Sequence, residues 1–362
     1  MVFLIDMDGK DYVFTYGIFG VQHEALSPEK TTFISTLYKL LSSSANRVDH
    51  LQDESHGLPR HNPKSTIFVA YWLSSSSYES WKEASPVKEF WASLPADAGV
   101  WREVMTVPKS RFMFASTQPV PSAMGTLLPL RQSNDEGYWG VYRHRLSETP
   151  DSHTDPSDKF TSSYITPTKA KSNETRKIID IPSTRSTKIK LGRVAISNPP
   201  ENLVFVREAQ RQPHIQPDET EVWLEQINPH VQSWISHLDT ERNKNGVIAF
   251  TTYIGHENPE PEMVNEKFDP KADLERNTEA IAEANQLAYF MDLAHFEQAG
   301  RSYKAHVDLR KMTMKLYGPG GQFEKKGKAV LFVELCVLKS KDLDAEYIGC
   351  AEGTGLMYLA NL

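Results

Sequence analysis

Two short stretches of the chain repeat one pattern and decide the fold: Ala70-Tyr71-Trp72, and 218 positions later (288 − 70) Ala288-Tyr289-Phe290. Each stretch reads as the end of a strand and is followed by two short helical patterns. The order strand, helix, helix in both copies suits two ferredoxin-like halves, each an antiparallel sheet with its helices on one face. The helical residues that keep the offset are Tyr78 and Trp81 in the first copy and Phe296 and Ala299 in the second.

The organisation of the chain agrees with such a doubling, because 362 residues suit two domains or one domain built from two similar halves. We predict an N-terminal ferredoxin-like half over residues 1–146 and a C-terminal half over residues 191–362. Residues 147–190 are crowded with Ser, Thr, Pro and Lys, which predicts an inserted surface loop or mobile linker. Strands are predicted at 11–22, 65–73, 101–107, 137–145, 192–196, 202–207, 246–254, 288–290 and 329–338, and helices from Ser27-Pro28, at 219–238 with a kink at Pro229, and at 273–286.

Composition excludes several classes of function. The net charge of −7 argues against a nucleic-acid groove or a polybasic membrane surface. No apolar run approaches the ~20 residues of a membrane span, and residues 1–10 do not look like a secretory signal. The two cysteines, Cys336 and Cys350, exclude a disulfide scaffold and suit a reducing cytosol. We therefore expect a cytoplasmic protein without nucleic-acid or membrane partners.

The twelve histidines are the obvious candidates for metal ligands, but their spacing does not match a metal-binding motif. His50, His56 and His61 lie in a polar stretch that predicts exposed loop residues. His295 and His306 lie on the two predicted short helices of the second half, where a lone histidine is more often packed or exposed than a ligand. The chain has no Gly-x-Ser-x-Gly, HExxH or P-loop motif, so nothing in its motifs selects one histidine or one nucleophile.

Arg143 and Arg145 share one face of a predicted strand beside Tyr138, Trp139 and Tyr142. Two guanidinium groups among aromatic rings suit an anionic ligand group such as a carboxylate. The alternative is a solvent-facing strand whose arginines form ion pairs.

Several stretches together give the chain a family resemblance, since it resembles the haem-containing aldoxime dehydratases. Gly137-Tyr138-Trp139-Gly140 followed by Arg-x-Arg is the most specific of them. The matches span almost the whole chain in the family's order, and their colinearity carries the resemblance. The other stretches are residues 16–22, 70–72, 101–103, 192–194, 202–207, 293–297 leading to Ser302 and His306, 348–350 and 354–355.

The resemblance implies a fold, a cofactor and a reaction. That family has a dimeric α+β-barrel-like fold, two ferredoxin-like halves in one chain around haem b, and its members commonly pair as homodimers. Ferrous haem binds an aldoxime, a small-molecule substrate, and the enzyme removes water to leave a nitrile. His306 matches the last histidine of the family's proximal motif, so the resemblance makes it the haem ligand. Arg145 matches the family's functional arginine.

Two positions depart from the family pattern. Glu208 stands where the family has a serine, and Val333 stands where the family has a distal histidine. Neither Val333 nor its neighbour Phe332 has a side chain that can donate or accept a proton. We hypothesise that Glu208 supplies the proton instead, because burial would raise the pKa of its carboxyl, although Arg145 nearby would lower it. The alternatives are a related N–O or N–N substrate, a haem enzyme of different, peroxidase-like chemistry, a non-catalytic haem-binding protein, and a haem-free α+β protein.

Overall fold

The computed structural model describes residues 2–7, 12–53, 63–119, 122–133, 142–146, 160–182, 186–211, 215–255 and 283–361. The strands within these ranges are β1 (Phe3–Ile5), β2 (Val13–His23), β3 (Arg47–Asp53), β4 (Lys64–Trp72), β5 (Val100–Pro108), β6 (Phe112–Ser116), β7 (Leu130–Gln132), β8 (Tyr164–Ile165), β9 (Lys177–Ile178), β10 (Ile189–Ile196), β11 (Leu203–Arg211), β12 (Val247–Gly255), β13 (Glu283–Phe290), β14 (Val330–Leu338) and β15 (Leu343–Ala351).

The α-helices are α1 (Pro28–Ser42), α2 (Ser75–Glu83), α3 (Ser85–Ser93), α4 (Pro217–Val222), α5 (Asn228–Thr240), α6 (Arg242–Asn245), α7 (Leu293–Ser302) and α8 (Lys304–Tyr317). A π-helical turn, Trp223–Ile227, joins α4 to α5. Short 3₁₀ turns lie at Lys109–Arg111, Ala123–Thr126, Arg143–Arg145, Ser340–Asp342 and Met357–Asn361.

Two ferredoxin-like units account for most of these elements. In the first unit the antiparallel strands lie in the order β5–β2–β4–β3, with α1, α2 and α3 in the connections. In the second the order is β14–β11–β13–β12, with α4 to α8 in the connections. Both orders place the fourth strand beside the first and the third beside the second, which is the ferredoxin-like arrangement. The predicted α+β fold class and the two halves are confirmed.

The predicted repeat falls on equivalent positions of the two units. Residues 70–72 end β4 and residues 288–290 end β13, the third strand of each unit. The helical residues of the repeat lie on α2 and α7. Pairing of β3 with β12 joins the units into one 13-stranded sheet, while β6 extends the second unit and β15 the first.

The inner faces of both units meet in one buried core. Tyr16 of the first unit stacks on Tyr71 at 5.6 Å and packs against Phe205 of the second at the same centroid distance. The Tyr16 hydroxyl also lies 3.2 Å from Cys336 Sγ. These contacts pack the inner faces of the two units against each other, so that each helical layer is left on an outer face.

A buried polar cluster crosses this core. Arg207 on β11, 1% exposed, donates hydrogen bonds to Asp49 at 2.7 Å and to the Tyr71 hydroxyl at 2.6 Å, both from the first unit. It also donates to Asn285 and Glu283 of β13. A buried guanidinium is tolerated only when it is paired in this way. The cluster therefore ties the two units together through charge as well as apolar contact.

Local signals explain the helix that begins at Pro28. Ser27 is its N-cap and accepts a hydrogen bond from the Lys30 backbone N–H, while Pro28 lacks the N–H that the first turn leaves unpaired. The predicted helix over 219–238 is interrupted by the π-helical turn, and α5 begins with Pro229 in its first turn. A proline there removes one backbone hydrogen bond and separates the two helical segments.

Some predictions were wrong. Residues 283–286 of the predicted helix at 273–286 begin β13, and 273–282 lie outside the described residues. His50 is on strand β3 and is buried, stacked on Phe68, rather than exposed in a loop. His56 and His61 lie outside the described residues.

Part of the predicted loop over 147–190 lies within the described residues, at 160–182 and 186–190. In the described part, Phe160, Ile165, Ile179 and Ile181 are at most 2% exposed, so the segment packs against the body there. The boundaries of the halves at 146 and 191 stay a prediction.

Candidate functional site

The most constrained histidine of the second unit is His306, in the first turn of α8. Its Nδ1 lies 2.6 Å from the Gly300 carbonyl oxygen of α7. A carbonyl only accepts hydrogen bonds, so Nδ1 carries the proton and Nε2 keeps its lone pair. Burial lowers the pKa of the imidazole and favours its neutral form. His306 thus presents an oriented, neutral imidazole, the form that ligates iron.

Aromatic side chains hold His306 in place from α5. The Trp234 ring lies 4.4 Å from the His306 ring, centroid to centroid. Tyr303, which precedes α8, stacks flat on His237 at 3.7 Å, and its hydroxyl lies 2.9 Å from Ser233 Oγ. These contacts fix the angle at which α8 packs on α5, and with it the direction of the His306 ring.

These residues fit a haem. His306 combines a Nδ1–H anchored on a carbonyl with a Nε2 that has no hydrogen-bond partner among the described residues. The helices around it pack on apolar residues of β11, β13 and β14, which suits a flat hydrophobic cofactor. A carbonyl partner on the second nitrogen is also how proteins commonly orient a metal-binding imidazole.

Glu208 lies on the face of the second unit's strands that packs against these helices. Its cross-strand neighbours are Gln286 on β13 and Val333 on β14. Residues paired across a sheet share a face, so the three side chains form one row. Val206 on β11 and Ala288 on β13 lie on the same face and belong to the apolar layer beneath the helices.

Burial controls the charge of Glu208. It raises the pKa of the carboxyl to about 7, which outweighs the opposing hydrogen bonds. The Tyr142 hydroxyl donates to Glu208 Oε1 at 3.4 Å, a long hydrogen bond. The Trp234 indole N–H faces the same carboxyl and favours its charged form, without a hydrogen bond of ordinary geometry. Arg145 is not among the groups that shift the pKa of Glu208.

Arg145 is connected to Glu208 by way of Tyr142. Residues 143–145 form a 3₁₀ turn rather than the predicted strand, and the Arg145 backbone N–H donates to the Tyr142 carbonyl at 3.0 Å. The charge of Arg145 lowers the pKa of the Tyr142 phenol, although burial keeps that pKa well above its ordinary value. The Tyr142 ring packs on Phe296 of α7 at 4.8 Å. Tyr142 therefore joins the Arg145 turn, Glu208 and the helical layer.

The two arginines of the Arg-x-Arg motif have different environments, because a 3₁₀ turn does not alternate faces. Arg143 is 8% exposed and its Nε lies 3.5 Å from Glu297. The ion pair agrees with the alternative for that residue, but Arg143 is buried in a turn and does not lie on a solvent-facing strand. Tyr138 and Trp139 lie outside the described residues.

His295 has a structural environment, as expected for a lone helical histidine. Its Nδ1 lies 2.6 Å from Asp292 Oδ1, and Asp292 is the N-cap of α7. Cys336 and Cys350 are buried and unpaired on β14 and β15.

Three residues of this region are not predicted as site residues from the sequence. Trp234 falls within the predicted helix at 219–238, and Tyr142 is only an aromatic neighbour of the arginines. Gln286 falls within the predicted helix at 273–286. For Tyr142, its position beside Arg-x-Arg was a usable signal. For the other two, only the packing of α5 and the register of β13 connect them to Glu208.

Comparisons with known proteins show the family to which the chain is similar. A sequence profile of the haem-containing dehydratases matches residues 17–356. The chain is 21% identical over 302 residues to phenylacetaldoxime dehydratase of Bacillus sp. (strain OxB-1), covering 81% of this chain and 73% of that protein. It is 24% identical over 311 residues to aliphatic aldoxime dehydratase of Rhodococcus erythropolis, covering 84% and 75%.

The fold has a close match among solved structures. A crystal structure of an aldoxime dehydratase in complex with butyraldoxime superposes with a TM-score of 0.74 at 19% identity, over 99% of this chain and 88% of that one. A second crystal structure of an aldoxime dehydratase gives 0.73 at 16% identity, over 99% and 90%. The two halves described above therefore share the architecture of these proteins.

Proposed function

The chain belongs to the haem-containing dehydratase family, a family of lyases that use haem, and from that premise we propose that it dehydrates an aldoxime to a nitrile, with cleavage of a related N–O or N–N substrate as the alternative. The observation that carries the proposal is the site itself. A neutral, oriented imidazole at His306 packs on the Trp234 ring at 4.4 Å, and the Trp234 indole N–H faces the Glu208 carboxyl, whose pKa is raised to about 7. The peroxidase-like and non-catalytic alternatives gain no support from the relatives.

His306 is our proposed iron ligand. Its Nδ1–H, held by the Gly300 carbonyl, leaves Nε2 for the metal. Bound haem b, in its ferrous state, would supply an open coordination position for the oxime nitrogen. We assign every other step of the reaction to side chains of the protein.

Glu208 is our proposed proton donor. Hydroxide is a poor leaving group, so the oxime oxygen must be protonated as the N–O bond breaks. The protonated Glu208 carboxyl donates that proton, the bonding pair stays on oxygen, and water leaves. The substrate carbon then loses its proton to the Glu208 carboxylate as the C≡N bond forms. The acid is restored, and no external oxidant or reductant is consumed.

Arg145 is our proposed orienting group for the polar end of the substrate. The support is the 3₁₀ turn, which places it next to Tyr142, while the Tyr142 hydroxyl contacts Glu208. A guanidinium offers several fixed donors to an oxygen atom. Arg145 would thus bind the departing oxygen while Glu208 supplies the proton.

We also propose a cytoplasmic location and a homodimer. The location rests on the two buried, unpaired cysteines, which suit a reducing compartment. No helix among the described residues is long and apolar enough to cross a membrane. The dimer is supported by the exposed Ile189 and Leu191 on the edge strand β10, where a second copy would cover apolar surface.

The proposal is tested by adding butyraldoxime to haem-loaded protein reduced with dithionite and measuring butyronitrile. We expect nitrile formation by the wild type. We expect loss of the haem absorption band and of activity in His306→Ala, with His230→Ala on the neighbouring α5 as the matched control. Haem binding that survives His306→Ala would refute the ligand assignment, and haem-loaded wild type that forms no nitrile would refute the reaction.

A further inference from the structure

The row of side chains that contains Glu208 also contains a polar group with no assigned role. Gln286 on β13 is 8% exposed and pairs with Glu208 across the β11–β13 ladder. Its Oε1 is buried and has no hydrogen-bond partner among the residues that the structure describes. A buried polar atom left unpaired is costly, and native proteins rarely keep one without a use.

The neighbouring carboxamide shows that this strand can satisfy such groups. Asn285, the preceding residue, points to the opposite face, where its Oδ1 accepts a hydrogen bond from Arg207 Nε at 2.9 Å. Within the part of the chain that the structure describes, Gln286 Oε1 has no such partner on the helix-facing side. Asn285 thus has a partner on one face of β13, whereas Gln286 Oε1 has none among the described residues on the other face. The missing hydrogen-bond donor belongs on the face that carries Glu208.

We propose that Gln286 is a substrate-binding residue that selects compounds with a free N-hydroxyl group. This inference rests on the proposed function and adds a contact to it. A hydroxyl both donates and accepts hydrogen bonds, so it satisfies the carboxamide of Gln286 in either orientation of the amide. With its hydrogen held by Gln286, the oxime hydroxyl presents its oxygen to Glu208 on the next strand.

The chemistry of a carboxamide suits this position better than that of a second carboxyl. Two neighbouring carboxyls would compete for one proton, whereas an uncharged amide leaves the proton on Glu208. The groups that bear on Glu208 and its partner Tyr142 are Trp234 on α5, Arg145 in the 3₁₀ turn and Glu297 on α7. Gln286 adds polarity to this group without adding charge.

The first test measures binding without turnover. Glu208→Gln is made the background, and ferrous haem-loaded protein is titrated with butyraldoxime and with its O-methyl ether, which lacks the hydroxyl hydrogen. We expect a preference for the free oxime of roughly 3- to 10-fold, the value of one hydrogen bond. Adding Gln286→Met should reduce that preference to about 1-fold, while adding the exposed control Gln226→Met should leave it unchanged. An equal preference with and without Gln286→Met would overturn the proposal.

The second test needs no haem. Because the amide has no described partner, Gln286→Met in haem-free protein should melt at the wild-type temperature or above it. A clear fall in melting temperature, beyond that of Gln226→Met, would mean that Gln286 serves the fold, and the proposal would fail. Failure of the whole proposed function is distinguished by the wild type, which would then form no nitrile whatever Gln286 does.

Discussion

Glu208 on β11 lies directly across the ladder from Val333 on β14, and both face the helical layer. The family resemblance places a serine and a histidine at these two positions. Because the positions are cross-strand neighbours, a proton donor on either strand serves the same space. The proposed proton donor on β11 would thus serve the space that the resemblance assigns to an imidazole on β14.

The clearest prediction concerns Glu208→Gln. The amide keeps the shape of the side chain but holds no transferable proton, so kcat should fall by roughly 10²- to 10⁴-fold, the usual contribution of a general acid. The haem spectrum should be unchanged, because His306 is untouched. Nitrile formation and the absorption spectrum are measured on the same sample, with the exposed Glu225→Gln as control. Near-wild-type turnover would exclude Glu208 as the donor.

A paired substitution tests whether the donor can be moved across the ladder. Glu208→Ser alone should lose activity to the same extent as Glu208→Gln. Adding Val333→His restores an ionisable group on the opposite strand, and we expect it to recover at least tenfold of the loss. Comparable rates for Glu208→Ser and the double variant would show that the two positions do not share one role.

The pH dependence of activity should follow the protonation of the Glu208 carboxyl. Glu208 must be protonated to donate, and its pKa is raised to about 7, so activity should fall as pH rises through that value. The Tyr142 hydrogen bond favours the charged form, so Tyr142→Phe should raise the midpoint, by roughly 0.5 pH for so long a bond. The rate is measured from pH 5 to 9. A midpoint that falls in Tyr142→Phe would contradict the assignment.

Much of the fold can be predicted from the sequence, because aromatic and β-branched residues mark the strands of each unit. The wrong predictions of secondary structure have a common cause. Residues 283–286 look helical in isolation, yet pairing with β11 and β12 makes them strand. His50 lies in a polar stretch, yet β4 pairs with it. In each case a partner distant in sequence overrides a local preference.

The candidate site was predictable only in part, for the same reason. His306, Arg145 and Glu208 were identified through the resemblance, and their roles stay predictions. The row formed by Gln286, Glu208 and Val333 depends on the register of three strands, which no local pattern encodes. The role of Tyr142 depends on a 3₁₀ turn at residues 143–145 that was predicted as strand.

The Gly300 carbonyl should matter to haem binding as much as the residue it orients. A Cβ at position 300 would lie 3.1 Å from His306 Cε1, so Gly300→Ala should push the imidazole away. We expect haem affinity to fall roughly tenfold or more, as is usual when the partner of a metal ligand is disturbed. Haem titration is compared with circular dichroism of the haem-free protein. Unchanged affinity would mean that the Gly300 contact does not hold the ring.

Arg207 should be essential to stability. Arg207→Ala leaves the buried Asp49 with Arg47 alone and removes the cation beside the half-buried Glu283, which should lower the free energy of unfolding by about 3–5 kcal/mol. Chemical denaturation measures the loss, and Arg301→Ala at an exposed site is the control. A loss below about 1 kcal/mol, the range of a surface ion pair, would show that water reaches the cluster.

The same cluster limits how the chain can be divided. Asp49 and Tyr71 belong to the first unit, while Arg207 and Glu334 belong to the second, and Tyr71 donates to Glu334 at 2.8 Å. A fragment of either unit would expose one half of this set of charges together with the apolar core around it. Expressed apart, the fragments should be insoluble or recombine with each other. Neither unit of the doubled sequence should therefore be stable without the other.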